Sequence, residues 1–362
     1  MIGHRLTDGM LSVVVGAMAE GSWLSRYWAA LAIGGTCLVL LAFAAVVVAK
    51  YVRISLNVFC TTPAPVITGG RDFTILRGEE VRFRSFDGTS LRGMWLRASN
   101  RPQRKGAIVF CHESASDMYS CSRYARPLLE AGFDVFTFDF RGHGDSSAAG
   151  YKPLQWPSDK ELADVLGATA YVEDVLESEG RGRNVGVFGI SRGAGAAILA
   201  ASSDPYIACV VCDGAFGTAE ISTYLMKRWA SIFARVKLVY ENHPDAFWRF
   251  LYWCMIRLAQ PRLRRRFPSV VKALRNMAPR PILFIHGQRD SFIPAEQGRL
   301  LYEQAEEPKY LWIVPKAKHN QSVMIAPAEY AARTVAFFRE HLAREAVSVN
   351  ECVGGQTRTG VA

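Results

Sequence analysis

The sequence predicts an α/β fold, with a mostly parallel, doubly wound sheet that follows a single transmembrane helix. From Gly106 onward, short and uniformly apolar segments alternate with longer amphipathic ones, which indicates buried strands joined by helices on both faces of a sheet. An uncharged apolar stretch, Trp28 to Ala49, precedes this region. Hydrophobic residues form 50% of the 362 residues and charged residues 21%, so the chain has material for a large core and wholesale disorder is excluded.

The apolar stretch from Trp28 to Ala49 has the length of a membrane span. Its 22 residues would form a helix of about 33 Å, which crosses the hydrocarbon layer. A buried soluble helix would carry a polar stripe and a cleaved signal peptide has a shorter apolar block, so a retained anchor is favoured over both. Arg26 flanks one end, while Lys50 and Arg53 flank the other, so the positive-inside rule predicts a single-pass protein with a cytoplasmic C-terminal domain.

The remaining elements follow from periodicity and turn residues. Two strands, Glu80 to Phe86 and Leu91 to Ala98, flank an Asp87-Gly88 turn and predict a hairpin. Further strands are predicted at Ala107 to Cys111, Phe133 to Phe140, Val185 to Ile190, Ile207 to Cys212, Pro281 to Ile285 and Tyr310 to Val314. Helices are predicted at Tyr119 to Ala131, Lys160 to Leu176, Gly193 to Ala201, Glu296 to Ala305 and Glu329 to Arg344.

These elements divide the chain into seven parts. They are an N-terminal flank (1–27), the transmembrane helix (28–49), a linker (50–79), two parts of the sheet domain (80–214 and 281–345), an insert between them (215–280) and a disordered tail (346–362). The eight cysteines show no spacing typical of a zinc site or a disulfide framework. Cys209 and Cys212 form a C-x-x-C within a strand, where residues three apart face opposite sides, so both are predicted to be packing residues.

The insert carries the basic excess of the chain. The whole chain has a net charge of +10, and the stretch from Met226 to Arg280 alone has 13 Lys or Arg against two acidic residues. Aromatic residues interleave with these cations, which suits a membrane interface. A helical cap with an aromatic core and a solvated basic face explains the same pattern, and both readings remain open. No nucleic-acid-binding module is recognisable, so nucleic acid is not an expected partner. The aromatic residues of the insert are Trp229, Phe233, Tyr240, Phe247, Trp248, Phe250, Tyr252, Trp253 and Phe267.

Gly189-Ile-Ser191-Arg-Gly193 lies between a buried-strand pattern and a helix start crowded with small residues. This strand, sharp turn and helix is the context in which G-x-S-x-G holds a nucleophilic serine exposed, and it is favoured here over a glycine-rich packing turn. A serine nucleophile needs a histidine base and a carboxylate that orients it. Asp290 and His319 follow the next two predicted strands, so both are expected at the same sheet edge as Ser191.

Other residues compete for these two roles. Asp290 also suits a helix cap, and Asp213, after the preceding strand, is the reserve acid. His319 is favoured over the other six histidines, because five lie outside the domain, in the insert, in the last helix or in turns that indicate structural roles, and His112 is better used elsewhere. Those six are His4, His112, His143, His243, His286 and His341.

With these motifs and Asp139-Phe-Arg-Gly-His-Gly-Asp-Ser146, the chain from Glu80 to Arg344 resembles the α/β-hydrolase superfamily. Among its members it is similar to the bacterial and BEM46-like serine hydrolases with an N-terminal membrane segment. The resemblance implies an oxyanion hole built from the backbone N–H groups of Arg192 and Ser114, and a cap formed by the insert. It departs from the family at Glu113, where a glycine is expected, and a carboxylate there would oppose an oxyanion unless it turns away or is paired.

The sequence therefore predicts a membrane-anchored serine hydrolase without metal or organic cofactor. The expected substrate is a carboxylic ester or thioester, and the anchor and aromatic insert favour a lipid-derived acyl group. The expected partners are this acyl substrate and the lipid bilayer, through Trp28 to Ala49 and through the basic insert. Two alternatives remain: a serine peptidase of the same fold, and a catalytically silent, membrane-tethered binding protein, which Glu113 motivates.

Overall fold

A computed structural model describes residues 5–61, 73–99, 104–146, 150–233 and 243–343 of the chain. It describes side chains from Tyr27 onward, except those of residues 231–233. Residues 62–72 of the predicted linker, residues 234–242 of the insert and the predicted tail (346–362) lie outside the described part. The chain divides into two compact units between Asn57 and Val58.

The N-terminal element is a helix that is longer than the predicted span. Helix α1 covers Arg5–Thr61, and its portion Tyr27–Thr61, with a mean hydropathy of 2.6, is long and apolar enough to cross a membrane. This conclusion rests on length and composition alone. The first proline, which would remove a backbone donor from a helix, is Pro63, two residues after the helix ends.

The second unit contains a sheet of eight strands in the order β1-β2-β4-β3-β5-β6-β7-β8. Strands β1 and β2 form the predicted hairpin, and β2 also pairs antiparallel with β4, whereas every other neighbouring pair is parallel. The predicted mostly parallel sheet is therefore confirmed. The strands are β1 (Glu79–Arg84), β2 (Ser90–Leu96), β3 (Gly106–Cys111), β4 (Phe133–Phe138), β5 (Val185–Ile190), β6 (Ile207–Asp213), β7 (Ile282–Gly287) and β8 (Lys309–Val314).

Helices connect the strands at close to the predicted positions, with one exception. The predicted helix from Tyr119 to Ala131 is wrong, because a 3₁₀ helix (Met118–Arg123) and a short α-helix replace it. This break places Pro127 in the first turn of the second helix, where its missing N–H leaves no helical bond unmade. The α-helices are α2 (Ala125–Glu130), α3 (Asp159–Ser178), α4 (Arg192–Ala201), α5 (Thr218–Phe233), α6 (Asp245–Leu263), α7 (Val270–Asn276), α8 (Ala295–Gln304), α9 (Ser322–Ile325) and α10 (Pro327–His341).

Both faces of the sheet are covered, as expected for buried parallel strands. Helices α3, α4, α7 and α8 cover one face, where Val172, Ile198 and Leu274 are among the buried side chains. The 3₁₀ helix, α2 and α10 cover the other face, where Leu128 and Phe338 are buried. The carboxyl ends of β5, β6, β7 and β8 consequently meet at one edge of the sheet.

The insert contributes two helices that pack against each other, α5 and α6. Arg228 of α5 donates from Nη1 to the carbonyl of Ser291 over 3.0 Å. After α6, the backbone of Arg266 both donates to and accepts from Asp159, at the start of α3. Helix α7 packs onto α4 and α8 instead, and so covers the sheet.

Candidate active site

Ser191 lies at the sharp turn between β5 and α4 in a strained backbone conformation, with φ 54° and ψ −116°. Its backbone N–H donates to the carbonyl of Asp213 over 2.7 Å, which ties the turn to β6. A Cβ on Gly193 would lie 2.2 Å from the carbonyl oxygen of Cys111. The turn therefore requires glycine here, and the close approach sets the loop after β3 beside the first residues of α4.

The structure brings Ser191, His319 and Asp290 into one hydrogen-bonded chain. Ser191 Oγ lies 2.9 Å from His319 Nε2, and His319 Nδ1 lies 2.5 Å from Asp290 Oδ2. Since a carboxylate only accepts, these partners assign the imidazole proton to Nδ1 and leave Nε2 as the acceptor for the serine proton. All three residues are buried.

Asp290 is held in place on the side that faces away from His319. Its Oδ1 accepts from the backbone N–H groups of Phe292 at 2.9 Å and Ile293 at 2.8 Å, which leaves Oδ2 for the imidazole. The ring of Phe292 packs edge-on against His319, with centroids 5.2 Å apart. The loop that Asp290 caps thus also positions the histidine ring.

Asp213, the reserve acid, points to other partners. Its Oδ2 accepts from the hydroxyl of Tyr330 at 3.0 Å and its Oδ1 from Ser322 Oγ at 3.3 Å. Burial raises the pKa of Asp213 to about 7. Because both oxygens are engaged and neither bond involves His319, the geometry favours Asp290 as the orienting carboxylate.

Three other buried histidines have structural contacts. Nε2 of His112 accepts from the backbone N–H of Phe140 at 3.1 Å, and Nε2 of His286 donates to the carbonyl of Ile293 at 2.8 Å. Burial lowers the pKa of His112 and His286, and burial together with the charge of Arg192 lowers the pKa of His143 to about 3. They are therefore neutral, and His112 and His286 are hydrogen-bonded to the backbone.

Glu113 is turned toward the 3₁₀ helix. Its Oε2 accepts from Ser120 Oγ at 3.1 Å, and its Oε1 lies 3.8 Å from Arg123 Nη1. The carboxylate of Glu113 thus points toward the 3₁₀ helix and is paired with Ser120 and Arg123. In this arrangement it does not oppose an oxyanion. Ser114 follows in the turn after β3, and Arg192 opens α4, where the first N–H groups of a helix have no partner within the helix.

The side chain of Arg192 forms a buried ion pair that the sequence did not reveal. Its Nη1 donates to the carbonyl of Leu154 at 3.0 Å and lies 3.5 Å from Glu161 Oε1, with both side chains fully buried. Tyr151 donates to the same Glu161 oxygen at 2.5 Å and accepts from Arg265, which follows α6. Side-chain contacts through Glu161 and Tyr151 therefore link Arg192, the residue after Ser191, to the insert. In the sequence, only the spacing of Ser158 and Glu161, which form a capping box at the start of α3, indicated a structural role for Glu161.

The sheet order and the turn at Ser191 together place this chain in the class of α/β hydrolases. The model of the α/β hydrolase family matches residues 108–333, and the chain belongs to this family. This agrees with the resemblance carried by the motifs.

Particular relatives are about a quarter identical to this chain over the residues that align. YfhR of Escherichia coli K12 is 26% identical over 246 residues, which cover 67% of this chain and 73% of that protein. Rv2307c of Mycobacterium tuberculosis is 25% identical over 253 residues, 68% of this chain and 74% of that protein. Among solved structures, the Pyrococcus furiosus esterase Pf2001 matches with a TM-score of 0.53 at 24% identity, over 75% of this chain and 93% of that one. This likeness shows the fold.

Proposed function

We propose that the protein is a membrane-anchored serine hydrolase that cleaves a carboxylic ester or thioester through an acyl-enzyme on Ser191. The observation that carries this proposal is the hydrogen-bonded chain from Ser191 through His319 to Asp290, built on a strained turn. A strained nucleophile backbone is stabilised only by its surroundings, and such strain concentrates at functional sites.

In the proposed reaction, Ser191 Oγ attacks the acyl carbon while its proton passes to His319 Nε2. Asp290 stabilises the imidazolium through Nδ1 and holds the ring in place. The carbonyl oxygen becomes an oxyanion, which accepts from the N–H groups of Arg192 and Ser114. The tetrahedral intermediate then expels the alcohol or thiol, which takes the proton from His319. Water repeats these steps on the acyl-enzyme and releases the carboxylic acid.

The membrane part of the proposal rests on α1 and on the composition of the insert. Tyr27–Thr61 has the length and apolarity of a span, and we propose that it anchors the catalytic unit on the cytoplasmic side. An anchored site meets substrates that concentrate in or near the bilayer, so lipid-derived esters or thioesters are the favoured class. The esterase identity of the Pyrococcus structure is consistent with ester cleavage.

A fluorophosphonate probe tests the nucleophile directly. The full chain in detergent should be labelled, Ser191→Ala should abolish the labelling, and Ser202→Ala, which removes a hydroxyl at the far end of α4, should leave it unchanged. Absence of labelling in a folded protein, or labelling that survives Ser191→Ala, would contradict the proposal.

The silent binding protein remains the second candidate, and the same probe separates the two. Glu113 motivated that alternative, and its contacts with Ser120 and Arg123 weigh against it. Panels of esters, thioesters and peptides of increasing acyl length then define the substrate. A rate that stays flat or falls with chain length would count against lipid, and cleavage of peptides alone would favour the peptidase.

A further inference from the structure

The insert helix α6 has two distinct faces. Its buried face consists of Trp248, Leu251, Met255 and Ala259. The opposite side of the helix, at positions one and two turns apart, we call the α6 outer face. It consists of Arg249, Phe250, Trp253, Arg257 and Pro261, with Leu258 at its border with the buried face, all of them exposed.

Three large apolar side chains of α6 are exposed on or beside this face. Phe250, Trp253 and Leu258 are 48%, 52% and 52% exposed. The rings of Phe250 and Trp253 stack with centroids 6.2 Å apart, so they form one continuous apolar surface. Packing in an aromatic core of the insert therefore explains why Trp248 is apolar, but it does not explain Phe250, Trp253 and Leu258. Contiguous exposed apolar surface of this kind marks an interaction site.

The charge around this surface has one sign. Among the described residues 243–269 there are six arginines, five of them exposed, and a single acidic residue, Asp245, which pairs with Lys227. The guanidinium of Arg257 lies over the ring of Trp253, 5.2 Å from its centroid. The outer face thus combines apolar rings with an excess of cations, since Asp245, which lies one turn before Arg249, is the one carboxylate among residues 243–269.

We infer that the α6 outer face docks onto an anionic lipid surface. Tryptophan and phenylalanine insert at the headgroup boundary, while arginines at the same level meet anionic headgroups. This inference deepens the proposed function and rests on its anchored topology. Because the anchor belongs to the same chain, docking is intramolecular and needs little intrinsic affinity. It brings the insert, which is linked to Arg192 through Glu161 and Tyr151, onto the bilayer that holds the proposed substrates.

Photo-crosslinking of the full chain in lipid nanodiscs tests the inference without relying on catalysis. Benzoylphenylalanine at position 250 should form phospholipid adducts in discs that contain phosphatidylglycerol, and several-fold fewer in discs of phosphatidylcholine alone. The same group at position 86 is the matched control, because Phe86 is 77% exposed in the turn between β1 and β2. Equal adducts at both positions, or no dependence on lipid charge at position 250, would overturn the inference. A protein–protein adduct at position 250 would instead identify a second copy as the occupant, and would also overturn it.

A charge variant with a matched control completes the test. The double variant Arg249→Gln/Arg257→Gln removes two cations. It should lower the equilibrium constant for docking of the α6 outer face onto the anionic bilayer about 30-fold, which corresponds to about 1 kcal/mol for each cation. Arg299→Gln/Arg339→Gln removes the same charge from exposed positions on α8 and α10 and should leave adduct formation unchanged. Equal effects of the two variants would contradict docking through α6.

Carbonate extraction of membranes separates failure of the anchor from failure of this inference. Protein that resists extraction without forming adducts at position 250 refutes the α6 outer face alone. Extractable protein that still forms charge-dependent adducts on vesicles refutes the anchor alone.

Discussion

In the proposed reaction, Asp290→Asn should nearly abolish hydrolysis, because it holds the imidazole of His319 in the wrong tautomer. Oδ1 of Asp290 accepts two backbone N–H bonds, at 2.9 and 2.8 Å, while Oδ2 faces His319 Nδ1. An asparagine must turn its carbonyl toward the two N–H groups, since the reverse leaves two buried donors unpaired at about 1–3 kcal/mol each. Its amide then donates to Nδ1, and the imidazole proton moves to Nε2, which can no longer accept from Ser191.

The loss expected from this tautomer and from the missing carboxylate charge is about 10⁴-fold in kcat, or about 5 kcal/mol. Hydrolysis of a p-nitrophenyl ester by the full chain measures it, with thermal unfolding as a check that the variant is folded. Asp213→Asn is the matched control and should retain activity within about tenfold, because Tyr330 and Ser322 bind that carboxylate instead of His319. A fully active Asp290→Asn variant, or an equal loss in Asp213→Asn, would refute the reasoning.

Three further outcomes follow from buried carboxylates. Glu161→Gln leaves the fully buried guanidinium of Arg192 unneutralised and should lower the free energy of unfolding by about 3–5 kcal/mol. Glu177→Gln, at an exposed site, is the control and should change it little. Glu113→Gln should change the rate of fluorophosphonate labelling less than about threefold, and a gain of tenfold or more would mean that the carboxylate opposes the oxyanion. Burial raises the pKa of Asp213 to about 7, so the folded state binds its proton more tightly than the unfolded state and stability falls as the pH rises from about 4 to about 7. Asp213→Asn should remove up to about 4 kcal/mol of that change, and a pH profile of unfolding identical to that of the wild type would contradict the assignment.

The strands and the order of the candidate site residues could be predicted because their signals are local. Uniform apolar runs mark buried strands, and Ser191, Asp290 and His319 each lie within five residues after the end of one. Parallel strands then bring the three loops to one edge of the sheet. The one wrong element is the helix predicted from Tyr119 to Ala131. Apolar spacing alone does not show that the helix breaks before Pro127, which lies in the first turn of the second helix.

Contacts between residues far apart in the chain could not be predicted in this way. The sequence left Asp213 as a rival acid, and only its bonds to Tyr330 and Ser322, more than 100 residues away, show where it points. Glu113 carried an unresolved conflict with the oxyanion hole until its contacts with Ser120 and Arg123 were known.

The sequence by itself therefore determined the fold class, the apolar span and the candidate serine and histidine, since hydrophobic period and turn chemistry act over a few neighbouring residues. The tertiary structure alone decided which carboxylate reaches His319, where Glu113 points, and that Phe250 and Trp253 face outward while Trp248 packs inside. Each of these features depends on burial and on hydrogen bonds between elements that are distant in the chain. A side chain meets such partners only after folding, so the local sequence pattern does not show which way it points.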